Sequence, residues 1–378
     1  MEITTMLKIH SGLFKSITTG CLLAAGIATS ASVLARDLTY GSYLPPQHPT
    51  STGISAFLEE VEKRTDGSIT YSFFPSGAAA SGKEMLSAVR DGMIDGGFLV
   101  TVYYPTAIPA NTTISDLSFW DQNSLIATAA SIDTVLTGCP QCLEEFEEHD
   151  VQFLASYATP PYQAMCKDEF ASGFEPDGMR MRVAGEEIGR WVSQIGGIPV
   201  NIPNNESYEA MERSQLDCVI GATSWLKSLS LSEVANSVVD LPMGAFLGGS
   251  LLNIRNSVWE ELTVSERNAI IESTPVGVAR TIFEYQKEEA EVREAASDQG
   301  IRFVPVSDQM KQIRGEFMQA QVERAAATAS DRGVEDANQI VENFIANLEK
   351  WEQLLADPDI TEQQYAALLK SEIYDKAF

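Results

Sequence analysis

From residue 37 onward, short apolar runs alternate with amphipathic stretches. Residues 37–43 read as a first strand that stops at Leu44-Pro45-Pro46. Residues 50–64 place Ile54, Phe57, Leu58 and Val61 at helical spacing, Asp66-Gly67 turns the chain, and residues 68–74 alternate as a second strand. Residues 81–91 follow as a helix with Met85, Leu86 and Val89 inward, and residues 94–100 as a buried strand. This strand–helix–strand–helix–strand rhythm predicts a parallel sheet with crossover helices. A helix over 124–149 and a strand over 151–157 complete the first unit. The rhythm then restarts, with strands predicted over 162–166, 179–183, 199–202 and 217–220 and helices over 186–195 and 206–214. After a strand at 251–254, the pattern over 258–355 is almost entirely helical, with a short strand at 301–304. The expectation is an α/β chain of two tandem units. Ligands bind such sheets at the strand carboxyl ends, so the space between the units is the expected site and hinge closure the expected motion.

The N-terminus changes the compartment. Lys8 and Lys15 precede an uncharged run from Ile17 to Leu34, and Ser32-Val33-Leu34-Ala35 is a small-x-small cleavage pattern, so residues 1–35 read as a signal peptide cleaved near Ala35. Cys21 follows Thr-Gly, but most of the apolar stretch lies after it, which argues against a lipid anchor. No later run is long and apolar enough to span a bilayer. Four cysteines follow the signal. In an oxidising compartment, Cys139 and Cys142 can close a small local ring, and Cys166 and Cys218, both in strand-like runs, can staple neighbouring strands. The formal charge of −27 argues against nucleic acid as a partner, because phosphates need a basic footprint. The acidity reads as a solubility device or as an acidic docking face.

Catalytic motifs are weak. Gly77 to Glu84 nearly matches a phosphate-binding loop, but Glu84 stands where Ser or Thr would hold magnesium. After the signal only His48 and His149 remain; the first suits a loop or helix cap, and the second lies among acids on a solvated face. No nucleophile–base pair, metal motif or cofactor motif emerges, so no cofactor is expected. Arg180 and Arg182 stand on one side of a strand that runs into a glycine turn and a helix. An arginine there can fork onto a carboxylate or sulfonate, or pair with a nearby Glu at the surface.

Several ordered segments together resemble the solute-binding subunits of TRAP (tripartite ATP-independent periplasmic) transporters. They are YGSYLPPQHP at 40–49, FPSG at 74–77, GMRMRVAG at 178–185, IGGIPVNIPNNESYEAMERSQLDCVIG at 195–221 and LLNIRNSVWEELTVSERNAI at 251–270. The resemblance spans about residues 37–345. It implies a two-lobed periplasmic-binding-protein fold of type II-like α/β topology, with a long helix bridging the lobes. Residues 36–158 and about 247–287 would form lobe I, residues 159–246 and about 288–345 lobe II, and residues 346–378 a helical extension. It implies capture of a small organic anion for an ion-gradient-driven membrane permease by a monomeric protein, with Arg182 as the anion clamp. This chain departs from the family pattern at Tyr162, where many relatives carry a second arginine, and at Gly221, where many carry an asparagine. Asn204 stands in place of an aromatic and Cys218 in place of a glycine. One charge fewer favours a monoanionic or aromatic-bearing acid. Trp225 is expected to fill one wall of the cleft, with Tyr43, Tyr103 and Tyr104 on the other lobe. The rival readings are the binding protein of an ATP-driven importer or receptor, and a secreted enzyme on the same plan.

Overall fold

The structure, a computed structural model, describes residues 35–119, 123–170 and 173–378. The predicted signal peptide and Cys21 lie outside the described residues, apart from Ala35.

Three sheets organise the chain from Ala35 to Phe378. The first is parallel: β1 (Arg36–Gly41) lies between β2 (Ile69–Phe74) and β3 (Gly96–Gly97). The run 94–100 is buried as expected, but only two of its residues join the ladder, and Leu99 turns its N–H to Ser250 O. The crossover helix Pro49–Arg64 starts where the sequence changes register. His48 caps it by accepting the Thr50 N–H on Nδ1 at 3.2 Å, and Pro49 occupies the first turn, where no donor is needed. The next helix forms only over Met85–Arg90, shorter than the apolar spacing suggested.

The expected single helix over 124–149 is broken. Ser124–Asp133 is α-helical, Thr134–Gly138 widens into a π turn, and Pro140, which has no N–H to donate, starts a second helix ending at Glu148. The Cys139–Cys142 disulfide closes at that break.

Two strands of eleven residues, β4 (Val151–Pro161) and β10 (Ala245–Arg255), form an antiparallel ribbon with several register shifts. Both run past the predicted ends, because each pairs with the other from Ala245–Pro161 to Arg255–Val151. The chain passes through this ribbon from the first sheet to the third and back.

The third sheet has the order β11–β9–β5–β8–β6–β7. Its strands are β5 (Gln163–Cys166), β6 (Arg180–Val183), β7 (Ile198–Asn201), β8 (Cys218–Gly221), β9 (Ser237–Val239) and β11 (Arg302–Val304). β6 is parallel to both β7 and β8, whereas β5 is antiparallel to β8 and β9, because it enters directly from the ribbon. Cys166 pairs with Cys218 in the β5–β8 register, and their disulfide ties the two strands.

The helix Val264–Ala295 starts in a capping box of Thr263 and Glu266 and runs for 32 residues. It packs on Pro49–Arg64 and β4, and its last turns reach the third sheet, where the Arg293 guanidinium stands 4.4 Å from the Phe303 ring on β11. It therefore touches both halves of the molecule. The C-terminal helices dock on the first half. Trp351 Nε1 and Lys350 Nζ both donate to the buried Asp133 carboxylate, at 3.0 and 2.6 Å, and the Tyr365 and Tyr374 hydroxyls donate to Leu125 O and Leu154 O.

Candidate functional site

β6 delivers Arg180 and Arg182 to opposite fates. Arg180 is half exposed and forks onto Asp217, with Nε and Nη2 at 3.0 and 2.8 Å from the two carboxylate oxygens. Arg182 is only 1% exposed. Its Nε donates to Ile202 O at 2.9 Å, Nη1 to Ile220 O at 3.2 Å, and Nη2 to the Tyr103 hydroxyl at 3.3 Å. Among the described residues, no carboxylate lies within 4.0 Å of it. A buried cation held only by neutral groups is costly unless an anion joins it.

Aromatic side chains form the surrounding shell. The Trp225 ring centroid stands 5.3 Å from the Arg182 guanidinium carbon, and Tyr162 meets Trp225 edge-on at 5.3 Å while stacking on Phe246 at 5.1 Å. Tyr43 stacks on Phe98 at 5.4 Å and tilts toward Tyr103 at 6.4 Å, and Tyr157 joins Phe98 to Tyr285. Burial raises the pKa of Tyr43, Tyr103, Tyr157 and Tyr162, with Arg182 pulling the other way at Tyr43, Tyr103 and Tyr162. These phenols therefore stay protonated and remain donors. Asn204 is 5% exposed and its Oδ1 has no partner; the Trp225 Nε1–H is likewise buried without an acceptor.

Gly221 and Trp225 fit each other. A Cβ on Gly221 would stand 2.0 Å from Trp225 Cζ3, so the indole occupies the space that any larger residue at this position would fill. Gly185, at φ +85°, lies two residues past the strand that carries Arg182, and a Cβ there would stand 3.0 Å from the Val102 side chain. Tyr104 does not join the cluster. Its hydroxyl donates to Gly82 O at 2.5 Å and accepts the Leu86 N–H, which makes it a brace for the loop before Met85.

Two grooves border these residues, one beside Val183 and Gly185 and one beside Tyr43. One groove of about 770 Å³ is lined by Val102, Gly185, Arg190 and Arg332. Another of about 390 Å³ is lined by Tyr43, Asn205, Tyr208 and Glu233. The widest groove, about 990 Å³ beside Pro160 and Glu289, lies away from Arg182 and carries no comparable chemistry. At the first groove a helix, Gln321–Asp331, fastens the two sides. Arg332, just past its end, reaches Asp116 Oδ2 at 2.6 Å and Glu186 Oε2 at 2.9 Å, and Arg324 reaches Glu187 at 2.5 Å. Burial outweighs Arg332 at Asp116 and pushes its carboxyl up to about 6.

Of the residues singled out from sequence, Arg182, Tyr162, Trp225, Tyr103, Tyr43 and Gly221 converge, and Asn204 lies two residues from Ile202, which accepts from Arg182. Sequence reasoning missed Phe98, Tyr157, Phe246 and Tyr285, which sit in apolar runs that look like ordinary core. It also missed the Asp116–Arg332–Glu186 clasp, whose members are up to 216 residues apart. Among the described residues, no cluster of His, Cys, Asp and Glu is placed to hold a metal ion. The arrangement can hold an anion on Arg182 inside an aromatic shell.

The family model for the bacterial extracellular solute-binding proteins, family 7, matches residues 40–329. This chain belongs to that family. A solute-binding protein of Albidiferax ferrireducens is 21% identical over 259 residues, covering 67% of this chain and 74% of the relative. A marine metagenome TRAP solute-binding protein specific for aromatic acid ligands, solved with meta-hydroxyphenylacetate, superposes with a TM-score of 0.74 at 19% identity, covering 84% of this chain and 99% of that one. A TRAP periplasmic solute-binding protein of Bordetella bronchiseptica, solved with (R)- and (S)-mandelate, gives 0.71 at 22% identity over 83% and 99%. The family 7 protein described here thus has the two-lobed α/β fold of TRAP binding proteins, with the expected long helix. It is a solute-binding protein, not an enzyme. No helix among the described residues is long and apolar enough to cross a membrane.

Proposed function

We propose that the protein is exported to the periplasm, loses residues 1–35, and captures a small monoanionic, aromatic-bearing acid between its lobes for delivery to a TRAP membrane permease. Lobe I would comprise residues 36–158 and about 247–287, and lobe II residues 159–246 and about 288–345, with the protein acting as a monomer and without a cofactor. The observation that carries this reading is Arg182, a buried guanidinium with neutral partners only. It would fork onto the ligand carboxylate, with Tyr103 and Tyr162 as neutral donors beside it. Trp225, Tyr162 and Tyr43 would line the ring of the acid, while Gly221 leaves Trp225 its place and Asn204 offers an acceptor. The second arginine position is Tyr162, which leaves one cation for one anionic charge. The aromatic acids bound by the marine and Bordetella proteins support the same class here.

The test is a thermal-shift screen of the mature protein against carboxylates, sulfonates, keto acids and aromatic acids, followed by calorimetry on Arg182→Ala. A ligand at about 100 times its Kd adds about 2.7 kcal/mol of stability. Arg182→Ala is expected to lose about 2–5 kcal/mol of affinity, the usual cost of removing one partner from a buried charge pair. Unchanged affinity in that variant would overturn the assignment.

A further inference from the structure

Trp225 does more than fill space beside Arg182. Three constraints fix its ring. It lies where a Gly221 side chain would be, its edge meets Tyr162, and the turn before it is held from the long helix. There the Glu289 carboxylate accepts the Ser224 N–H at 2.7 Å and the Thr223 hydroxyl. The indole cannot swing to find a partner, and its Nε1–H is buried with no acceptor at hydrogen-bond distance and angle. The nearest candidate acceptor is the Tyr285 hydroxyl, where burial raises the pKa and Thr50 and Trp225 lower it; that hydroxyl pairs with Thr50 Oγ1 at 3.2 Å and stands outside hydrogen-bond geometry to the indole. A buried N–H without an acceptor costs as much as a lost hydrogen bond, and native sites rarely leave one unused.

We infer that Trp225 Nε1 is a specificity-determining donor, and that the acid bound on Arg182 carries a second, neutral oxygen acceptor that takes this hydrogen bond. This rests on the anion-binding reading above. A hydroxyl suits this donor, since its oxygen accepts one hydrogen bond and leaves its own proton free for a second partner. A plain aromatic acid satisfies Arg182 and leaves the indole N–H unpaired. A hydroxylated one satisfies both.

Calorimetry with benzoate and its three hydroxylated isomers, on wild type, Trp225→Phe and Arg182→Lys, tests this. In wild type at least one hydroxylated isomer binds at least about fivefold tighter than benzoate, the low end of what a buried donor is worth. Trp225→Phe keeps an aromatic ring but removes the donor, so the ratio of hydroxylated-isomer to benzoate affinity falls to about one, whatever loss is common to all four acids. Arg182→Lys weakens all four acids together. Hydroxylated isomers that bind no better than benzoate, or a preference that survives in Trp225→Phe, overturn the donor role and leave the anion site standing. Failure of all four acids to bind overturns the anion reading with it. A readout on unmutated protein guards against a variant that does not fold. In an amide and indole proton NMR spectrum, one indole N–H resonance moves downfield with the preferred isomer and not with benzoate; equal movement with both refutes the inference.

Discussion

Gly221→Ala isolates the fit between β8 and the indole. No backbone strain enters, because Gly221 lies outside the left-handed region, and Ala in a compatible conformation ordinarily stabilises by about 0.4–1 kcal/mol through the unfolded chain. The added methyl would stand 2.0, 2.2 and 2.8 Å from Cζ3, Cε3 and Cη2 of Trp225. Ordinary contact begins near 3.4 Å, so the ring must retreat by about 1.4 Å. It has nowhere to go: Trp225 is 2% exposed, with Tyr162 edge-on and Arg182 across its face. Overpacking of this kind costs about 1–3 kcal/mol. The melting temperature should fall by about 2–10 °C at about 2–4 °C per kcal/mol, and ligand affinity should fall with it as the wall shifts. A double-mutant cycle with Trp225→Ala reads the cause. Once the ring is gone the methyl has room, so Gly221→Ala should be nearly neutral in that background, leaving a coupling of about 1–3 kcal/mol. Thermal unfolding of the four proteins gives the cycle. If the penalty is the same with and without the indole, or absent from the single variant, the reasoning is wrong.

Glu288→Gln should raise the melting temperature at pH 8 and leave it unchanged at pH 5. Burial pushes Glu288 from 4.5 up to about 7; Lys227 and Ser228 pull it down without cancelling that, and Glu291 and Glu289 add to the rise. For an acid raised in the folded state, the cost of ionisation begins above pH 4.5 and is complete above pH 7. Discounted for partial solvation, it is about 1–2 kcal/mol, and an equal change at both pH values would refute it. Arg332→Gln should weaken every ligand by a similar factor, because it unfastens Asp116 from Glu186 without touching the site and so lowers the closed fraction. Adding Asp116→Asn should recover part of the loss by removing the carboxylate left buried and unpaired; calorimetry on the single and double variants checks both, and ligand-selective losses would count against a clasp.

Much of the fold was legible because each half repeats the strand–helix period, and periodicity survives without tertiary information. The helix predicted over 124–149 failed at Pro140 for a local reason that apolar spacing does not register. The length of β4 and β10 failed for a tertiary one: in this ribbon, pairing with a partner 90 or so residues away extends strands beyond their local signal. The site divides the same way. Arg180 and Arg182 stood out together as two arginines on one side of a strand, and it was the resemblance to the TRAP binding proteins that singled out Arg182. Tyr157, Phe98 and Tyr285 did not, since a tyrosine in an apolar run looks the same whether it faces core or ligand. Of the Gly221–Trp225 complementarity, Gly221 was visible as a departure and Trp225 as a candidate wall; that the second fills the space left by the first is a fact of distance.

On the proposed function, an acidic protein would have to bind an acid. With 53 acidic and 26 basic residues, the surface repels anions at long range. At physiological ionic strength that repulsion fades beyond about 8 Å. Inside the shell the balance reverses. Most other arginines near the cleft are already engaged, Arg180 by Asp217, Arg190 by Glu186 and Arg332 by Asp116. Arg182, paired with no carboxylate among the described residues, would meet the ligand with its charge uncommitted. At 4 Å and an effective dielectric near 20, one pair of unit charges gains about 4 kcal/mol, against about 1 kcal/mol in bulk water. The phenols beside it are neutral donors that can share one negative charge but cannot balance a second. A dianion would carry an uncompensated charge into this dry site through an acidic approach, so the single guanidinium and the tyrosine at position 162 together select for one charge.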